Sequence, residues 1–280
     1  MERHYLEMRV QQAVILAGHE RDKEAVHDMR VAVRRIRVGV GVFKPYFPVN
    51  TLEGFRKSFK EVGHTLGPLR DVDVLQEKTD HYLAGLGEEQ HAISEMQRDY
   101  SLLRRELRER AHRALTTPEI NASMDLFTSF LRTQTPRSPL SVAASAPQLI
   151  EKQLLKVMGF AQNWHQADYT VLHRLRIAFK RLRYSIEFFE EVLGDQQYAA
   201  IALLKEIQDY LGDLNDAHVA LQFLSDLSAQ DASQQMQAYF DFRRQERNGL
   251  IAGFPKIWQR FTEGDFESNL QAAMKKLAFQ

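Results

Sequence analysis

The sequence predicts an all-α protein built as two four-helix bundles related by a pseudo-two-fold axis. Three observations lead there: apolar residues recur at helical spacing through most of the chain, no run alternates as a strand would, and the second half repeats the first. Met29, Val33, Ile36, Val40, Phe43 and Phe47 fall at three- and four-residue steps, as one face of a helix requires, and Leu175, Phe179, Leu182, Ile186, Phe189 and Leu193 do the same. Breakers are expected to divide the helices at Gly18, Pro45–Pro48, Gly63–Pro68, Gly85–Gly87, Pro118, Gly194 and Gly253–Pro255.

The clearest linker is RTQTPRSPLSVAASAPQ, Arg132–Gln148, with Pro136, Pro139 and Pro147 among small polar residues. It sets a first repeat over residues 1–132, a linker over 133–147 and a second repeat over 148–280. The repeat shows when His27 is laid on His173. HDMRVAVRRIR then lies over HRLRIAFKRLR, with Arg30/Arg176, Ala32/Ala178, Arg35/Arg181 and Arg37/Arg183 identical and Arg34/Lys180 alike. Further on, KEVGHTLGPLRDVDV lies over KEIQDYLGDLNDAHV, pairing Lys60 with Lys205, Gly67 with Gly212 and Asp71 with Asp216. The offset changes only from 146 to 145 between the two matches.

Bulk composition excludes several classes. The chain has 280 residues, 44% of them hydrophobic, enough for a sizeable core. It has no cysteine, so disulfides and thiolate metal sites are out. The apolar run Ala13–Ala17 is too short for a signal sequence, and no stretch reaches the roughly 20 apolar residues of a membrane span. A soluble cytoplasmic protein with no membrane partner is expected.

Lys plus Arg and Asp plus Glu are equal at 37 each, so net charge names no partner, but the distribution does. Residues 26–60 hold eight cations against two acids, and residues 173–183 hold five cations and no acid. On a helix at about 100° per residue, with His27 at 0°, Arg30 falls near 300°, Arg34 near 340°, Arg37 near 280° and Lys44 near 260°. His173, Arg176, Lys180 and Arg183 repeat the stripe. Crowding like charges costs a helix a few tenths of a kcal/mol per neighbouring pair. Guanidinium forks suit phosphate oxygens, and a histidine adds a donor that titrates near neutrality. The stripe in both halves therefore reads as a polyanion-binding surface. Lys60 and Lys205 are expected to complete a groove, extended in the first half by Arg56 and Lys57. Arg35 and Arg181 lie off the stripe and are expected to pair with Asp71 and Asp216.

VHDMRVAVRRIRVGVGVF with LGPLRDVDVL, and LHRLRIAFKRLRYSIEFF with LGDLNDAHVAL, resemble the CHAD domain, the conserved histidine α-helical domain, over essentially the whole chain. The resemblance implies two four-helix bundles, a central basic surface that binds inorganic polyphosphate, and association with polyphosphate granules. Residue by residue it carries over to His27, Arg30, Arg34, Arg37, His173, Arg176, Lys180 and Arg183. The E-x-E-x-K strand of the CYTH triphosphatase domain, a frequent companion, has no counterpart, so the resemblance is to the stand-alone form. The halves also differ: Asn215 stands where the first has Arg70, and Glu187 falls on the arc of the second stripe.

The reading is thus of a binding module, not an enzyme, with neither cofactor nor metal. Three alternatives compete with it. A basic groove takes any phosphate chain, so RNA or DNA backbone is one. A metal-dependent hydrolase of polyphosphate or phosphate esters is another, with Asp71, Asp73 and Asp216 as candidate carboxylates. The Glu-x-x-His pairs Glu24/His27, Glu61/His64, Glu88/His91 and Glu109/His112 suit a di-iron bundle, but the repeat does not keep them.

Overall fold

The structure, a computed structural model, describes residues 1–18, 22–48, 50–85, 91–133, 142–161, 168–193, 195, 197–227 and 234–277. Among them there is no strand, and no helix is long and apolar enough to cross a membrane. The chain forms two compact units, Met1–Pro139 and Leu140–Gln280. Gly87, the Glu88 of one Glu-x-x-His pair, Pro136, Pro139 and Gly194 lie outside the described residues.

The first unit runs α1 (Glu2–Ala17), α2 (Asp22–Phe43), a 3₁₀ turn (Lys44–Tyr46), α3 (Glu53–Ala84), α4 (His91–Leu115) and α5 (Pro118–Thr133). α2 packs between α1 and α3, α4 closes against α3 and α1, and α5 lies against α3 and α4. The periodic face of α2 is buried as its spacing predicts: Met29, Val33, Ile36 and Val40 are inside, with Phe43 partly covered beside them. Phe55, Phe59, Phe127 and Phe130 fill the core between α3 and α5, their contacting rings 4.9–5.9 Å apart between centroids, and Tyr5 of α1 meets Phe127 edge-on at 5.2 Å. The Tyr5 hydroxyl donates to the Met124 carbonyl at 2.8 Å, so its buried polar end is satisfied.

The second unit runs α6 (Val142–Met158), α7 (Tyr169–Phe188), a single turn α8 (Glu190–Leu193), α9 (Gln197–Leu227), α10 (Gln234–Glu263) and α11 (Phe266–Leu277). α7 packs on α9 as α2 does on α3, and α10 lies along α9. Asp168 starts α7 by accepting a hydrogen bond from the Val171 amide at 2.9 Å, a cap that stabilises a helix by about 1 kcal/mol. Leu175, Phe179, Leu182 and Ile186 are buried, with Phe179 edge-on to Phe261 at 5.0 Å.

Several expected breaks are absent. α3 runs straight through Gly63–Pro68, and α10 through Gly253–Pro255. Pro68 and Pro255 both sit on exposed faces, where water serves the carbonyl each leaves without a partner. Gly253 makes room for Tyr210, whose hydroxyl donates to the Leu250 carbonyl at 2.6 Å. Helix also takes both ends of the expected linker. α5 reaches Thr133, and α6 begins at Val142 with Pro147 in its second turn, because Ala143, Ala144 and the fully buried Ala146 favour and anchor it.

One buried ionic cluster ties the start of α2 to α3 and α4. Arg104 donates from Nε to Asp73 and from Nη2 to Asp22, each at 2.6 Å, and Arg108 Nε reaches Asp22 at 3.0 Å. Burial pushes the Asp73 carboxyl above its ordinary range, against the pull of Arg104. Removing one partner from such a set leaves a buried charge unpaired. Arg104→Ala is expected to lower unfolding stability by about 3–5 kcal/mol in urea denaturation. A loss below about 1 kcal/mol would mean that the pair is solvated like a surface one.

Candidate polyanion-binding surface

In the first unit the stripe lies along the seam between α2 and α3. Arg56, Lys60, Gly63, Gly67 and Arg70 follow one another at three- and four-residue steps and form one face of α3. That face meets α2 in antiparallel register. A Cβ on Gly63 would stand 3.8 Å from Arg37 Nη1, and one on Gly67 only 3.1 Å from Arg30 Nη1. His27 comes next along the seam, close enough to Arg70 to feel its charge. The glycines thus do what a breaker would not: they let two guanidinium groups lie on the backbone of the neighbouring helix.

The predicted residues sort along this seam. His27, Arg37, Lys60, Lys57 and Lys44 are exposed, and Arg30 and Arg34 are half-buried. Lys44 is not on α2 but in the 3₁₀ turn beyond it, where Pro45 ends the helix. It lies near Glu53, whose carboxyl is held below its usual range chiefly by a hydrogen bond from Arg56. Arg56 Nε donates to that carboxylate at 3.0 Å. Lys57 stands about 100° round α3 from Arg56. Arg70, which the repeat pattern passed over, joins the seam and also reaches Glu77 at 3.2 Å. Its signal was its position three residues beyond Gly67.

Desolvation pushes the His27 imidazole below its ordinary value. Arg70, Arg34 and Arg30 push the same way, and only Asp28 opposes them.

In the second unit the same helix positions meet, with different chemistry. His173 Nδ1 lies 3.1 Å from Asn215 Oδ1 and 3.2 Å from the Tyr169 hydroxyl, and Tyr169 stacks on His218 with centroids 3.4 Å apart. Asn215 occupies the repeat position of Arg70, so both histidines face the same place on the partner helix. Burial lowers the His218 imidazole, helped by Arg247 and His173. Arg176 and Lys180 are half-buried on α7, and Lys205 is exposed on α9. Arg183 is held: Nη1 reaches Glu187 at 3.1 Å and Nη2 donates to the Tyr184 hydroxyl at 3.1 Å.

Two sequence expectations about partners need correcting. Arg181 does not pair with Asp216; it faces Lys156 of α6, whose ammonium is lowered by burial and then by Arg181. Its position off the stripe turns it toward α6 rather than α9, and Asp216 receives Asn215 Nδ2 at 3.4 Å instead. Asp73, one of the candidate hydrolytic carboxylates, is fully buried and held by Arg104, so it takes no part in a surface site. Among the described residues no three His, Asp or Glu side chains gather closely enough to hold a metal ion.

Fold and seam together define a helical domain with a basic histidine-bearing face in its first unit and a modified copy in its second. Residues 1–225 match the CHAD domain family, and the chain belongs to it. The CHAD domain from the plant Ricinus communis is similar in structure, with a TM-score of 0.67 and 24% identity, over 97% of this chain and 88% of that one. PptA from Streptomyces chartreusis is similar with a TM-score of 0.69 and 17% identity, over 92% of this chain and 98% of that one. No curated protein matches the sequence.

An anion seated over the seam offsets the cationic field at His27 and so raises its pKa. Binding is therefore linked to proton uptake: it strengthens as pH falls through the bound-state value and levels off below the free-state value, which lies under the ordinary one for histidine. NMR titration of His27 with and without dextran sulfate, a polyanion that does not titrate in this range, is expected to show the upward shift. An unchanged His27 titration would place the anion elsewhere.

Proposed function

We propose that this CHAD protein binds inorganic polyphosphate as a binding module rather than an enzyme, and that it attaches to polyphosphate granules in the cytoplasm. The observation that carries the reading is the α2–α3 seam. His27, Arg30, Arg34 and Arg37 of α2 lie beside Lys60 and Arg70 of α3, with Gly63 and Gly67 removing the side chains that would separate them.

Chemically, the seam offers guanidinium forks, an ammonium and an imidazole along a line. From His27 to Arg37 it runs ten residues, about 15 Å of helix. A polymer of phosphates supplies an anion at every step along such a line, while an isolated phosphate meets only one or two of its cations. Many weak charge-assisted contacts along one chain then sum to a firm attachment. Nucleic acid shares the charge but also carries bases. Of the aromatics near the stripe, Phe179 and Phe189 are fully buried, Phe43 packs against the core, and the part-buried Tyr169 already stacks on His218. That favours the bare phosphate polymer.

Arg30→Ala combined with Arg176→Ala is expected to weaken long-chain polyphosphate binding by roughly a hundredfold, at about tenfold per charge-assisted contact, with far-UV helicity unchanged. Isothermal calorimetry reads the first and circular dichroism the second. Undiminished affinity would overturn the assignment of the stripe. Long chains are also expected to bind more tightly than pyrophosphate, and equal affinity per molecule would contradict a linear site.

A further inference from the structure

The histidine of the second stripe is held by one of its two ring nitrogens. His173 Nδ1 lies 3.1 Å from Asn215 Oδ1 and 3.2 Å from the Tyr169 hydroxyl, and that hydroxyl donates to the same Asn215 oxygen at 3.2 Å. The Asn215 amide decides what sits on Nδ1. Its Nδ2 donates to Asp216 Oδ1 at 3.4 Å, and a carboxylate can only accept, so the amide oxygen is the end turned toward His173. A bare ring nitrogen 3.1 Å from that oxygen would set two acceptors face to face, so the proton of the neutral ring sits on Nδ1. With the Tyr169 proton committed to Asn215, the Tyr169 oxygen accepts from Nδ1 as well. Tyr169 is fixed in turn by stacking on His218, with centroids 3.4 Å and planes 14° apart. Burial, Arg247 and His173 hold the His218 imidazole below its ordinary value, which keeps the stacked ring neutral.

We infer that Asn215, Tyr169 and His218 are positioning residues that lock His173 in its Nδ1–H form, so that Nε2 is its ligand atom and meets a phosphate only after taking up a proton from solvent. This rests on the polyphosphate reading. The inner phosphates of the polymer present only acceptor oxygens near neutral pH, and Nε2 of the locked neutral ring is an acceptor too. A protonated Nε2 makes a charge-assisted bond to phosphate, while Nδ1–H keeps both of its partners. An unrestrained neutral imidazole could move its proton to Nε2 and donate without charge; the lock removes that route. His27 cannot be locked this way from the repeat position of Asn215, because Arg70 stands there and a guanidinium has no acceptor. Around His173 the charged and titratable groups are Arg176 and Lys180 one and two turns along α7, Asp216 and His218 on α9, and Arg247 on α10 beside His218. Lys156 of α6 faces Arg181 further along α7, and α8 lies at the far end. The cations oppose a proton on His173, while Asp216 and an arriving phosphate favour it, so the proton comes with the ligand.

The test is long-range proton–nitrogen NMR of the full chain labelled with nitrogen-15 histidine, the His173 signals being those lost in His173→Gln. In free protein the neutral ring is expected to show a protonated Nδ1 and a bare Nε2. Long-chain polyphosphate is expected to shift the Nε2 titration to higher pH, with Nδ1 protonated throughout. Asn215→Leu is expected to move the neutral proton to Nε2, and Asn215→Asp, which keeps an oxygen at that place, to retain the wild-type form. A neutral wild-type His173 protonated on Nε2, an unchanged form in folded Asn215→Leu, or an Nε2 titration that polyphosphate leaves unmoved while calorimetry shows binding would each overturn the inference and leave the function standing. Folded wild-type protein that does not bind polyphosphate would overturn the function itself, and this inference with it. Should Asn215→Leu fail to fold, the wild-type spectra with and without polyphosphate still decide between these outcomes.

Discussion

Like charges crowded along a helix–helix seam are the constraint around which the first unit is built. Arg30, Arg34, Arg37, Lys60 and Arg70 repel one another, and each neighbouring pair costs a few tenths of a kcal/mol. What holds them together lies directly beneath. Met29, Val33, Ile36 and Val40 of α2 and Phe59, Val62, Leu66 and Leu69 of α3 are buried, each stabilising by about 1.5–3 kcal/mol. The burial outweighs the repulsion, so the charge is kept in register without a ligand. The ionic cluster of Asp22, Asp73, Arg104 and Arg108 fixes the start of α2 to its neighbours, and with it the height of His27 along the seam.

The second unit keeps the packing and changes the charge. Where His27 faces Arg70, His173 faces Asn215 and is hydrogen-bonded with Tyr169. Where Asp73 is locked to Arg104, His218 lies under the Tyr169 ring. The helices could diverge in this way because the seam is a surface feature resting on a core that does not sense its charge. A duplicated scaffold thus carries two faces that share their packing and differ in their charged residues.

Much of this was legible in the residues. The period of the apolar positions marked α2 and α7 and the residues they bury, and the doubled His-x-x-Arg pattern marked the stripe and the family. What was not legible was the partner face. Gly63, Gly67 and Pro68 have the composition of a break, but packing overrides propensity: α3 is held by its buried side, and the glycines are where Arg30 and Arg37 come to rest. Arg70 was missed because its importance comes from the register of α3 against α2, which a single helix does not reveal. The end of the expected linker failed for the same reason, since Ala146 is anchored by burial and Pro147 costs α6 only one hydrogen bond. Arg181 was sent to the wrong partner because a helical wheel gives a direction but not the identity of the neighbouring helix.

On the proposed function, a line of cations selects a bare phosphate polymer. Competition measures it most directly: fluorescently labelled long-chain polyphosphate bound to the protein, challenged with single-stranded RNA at equal phosphate concentration over a series of salt concentrations. Polyphosphate affinity is expected to fall steeply with salt, while RNA fails to displace it at every salt. Displacement by RNA at parity would contradict it and reduce the seam to a general basic surface.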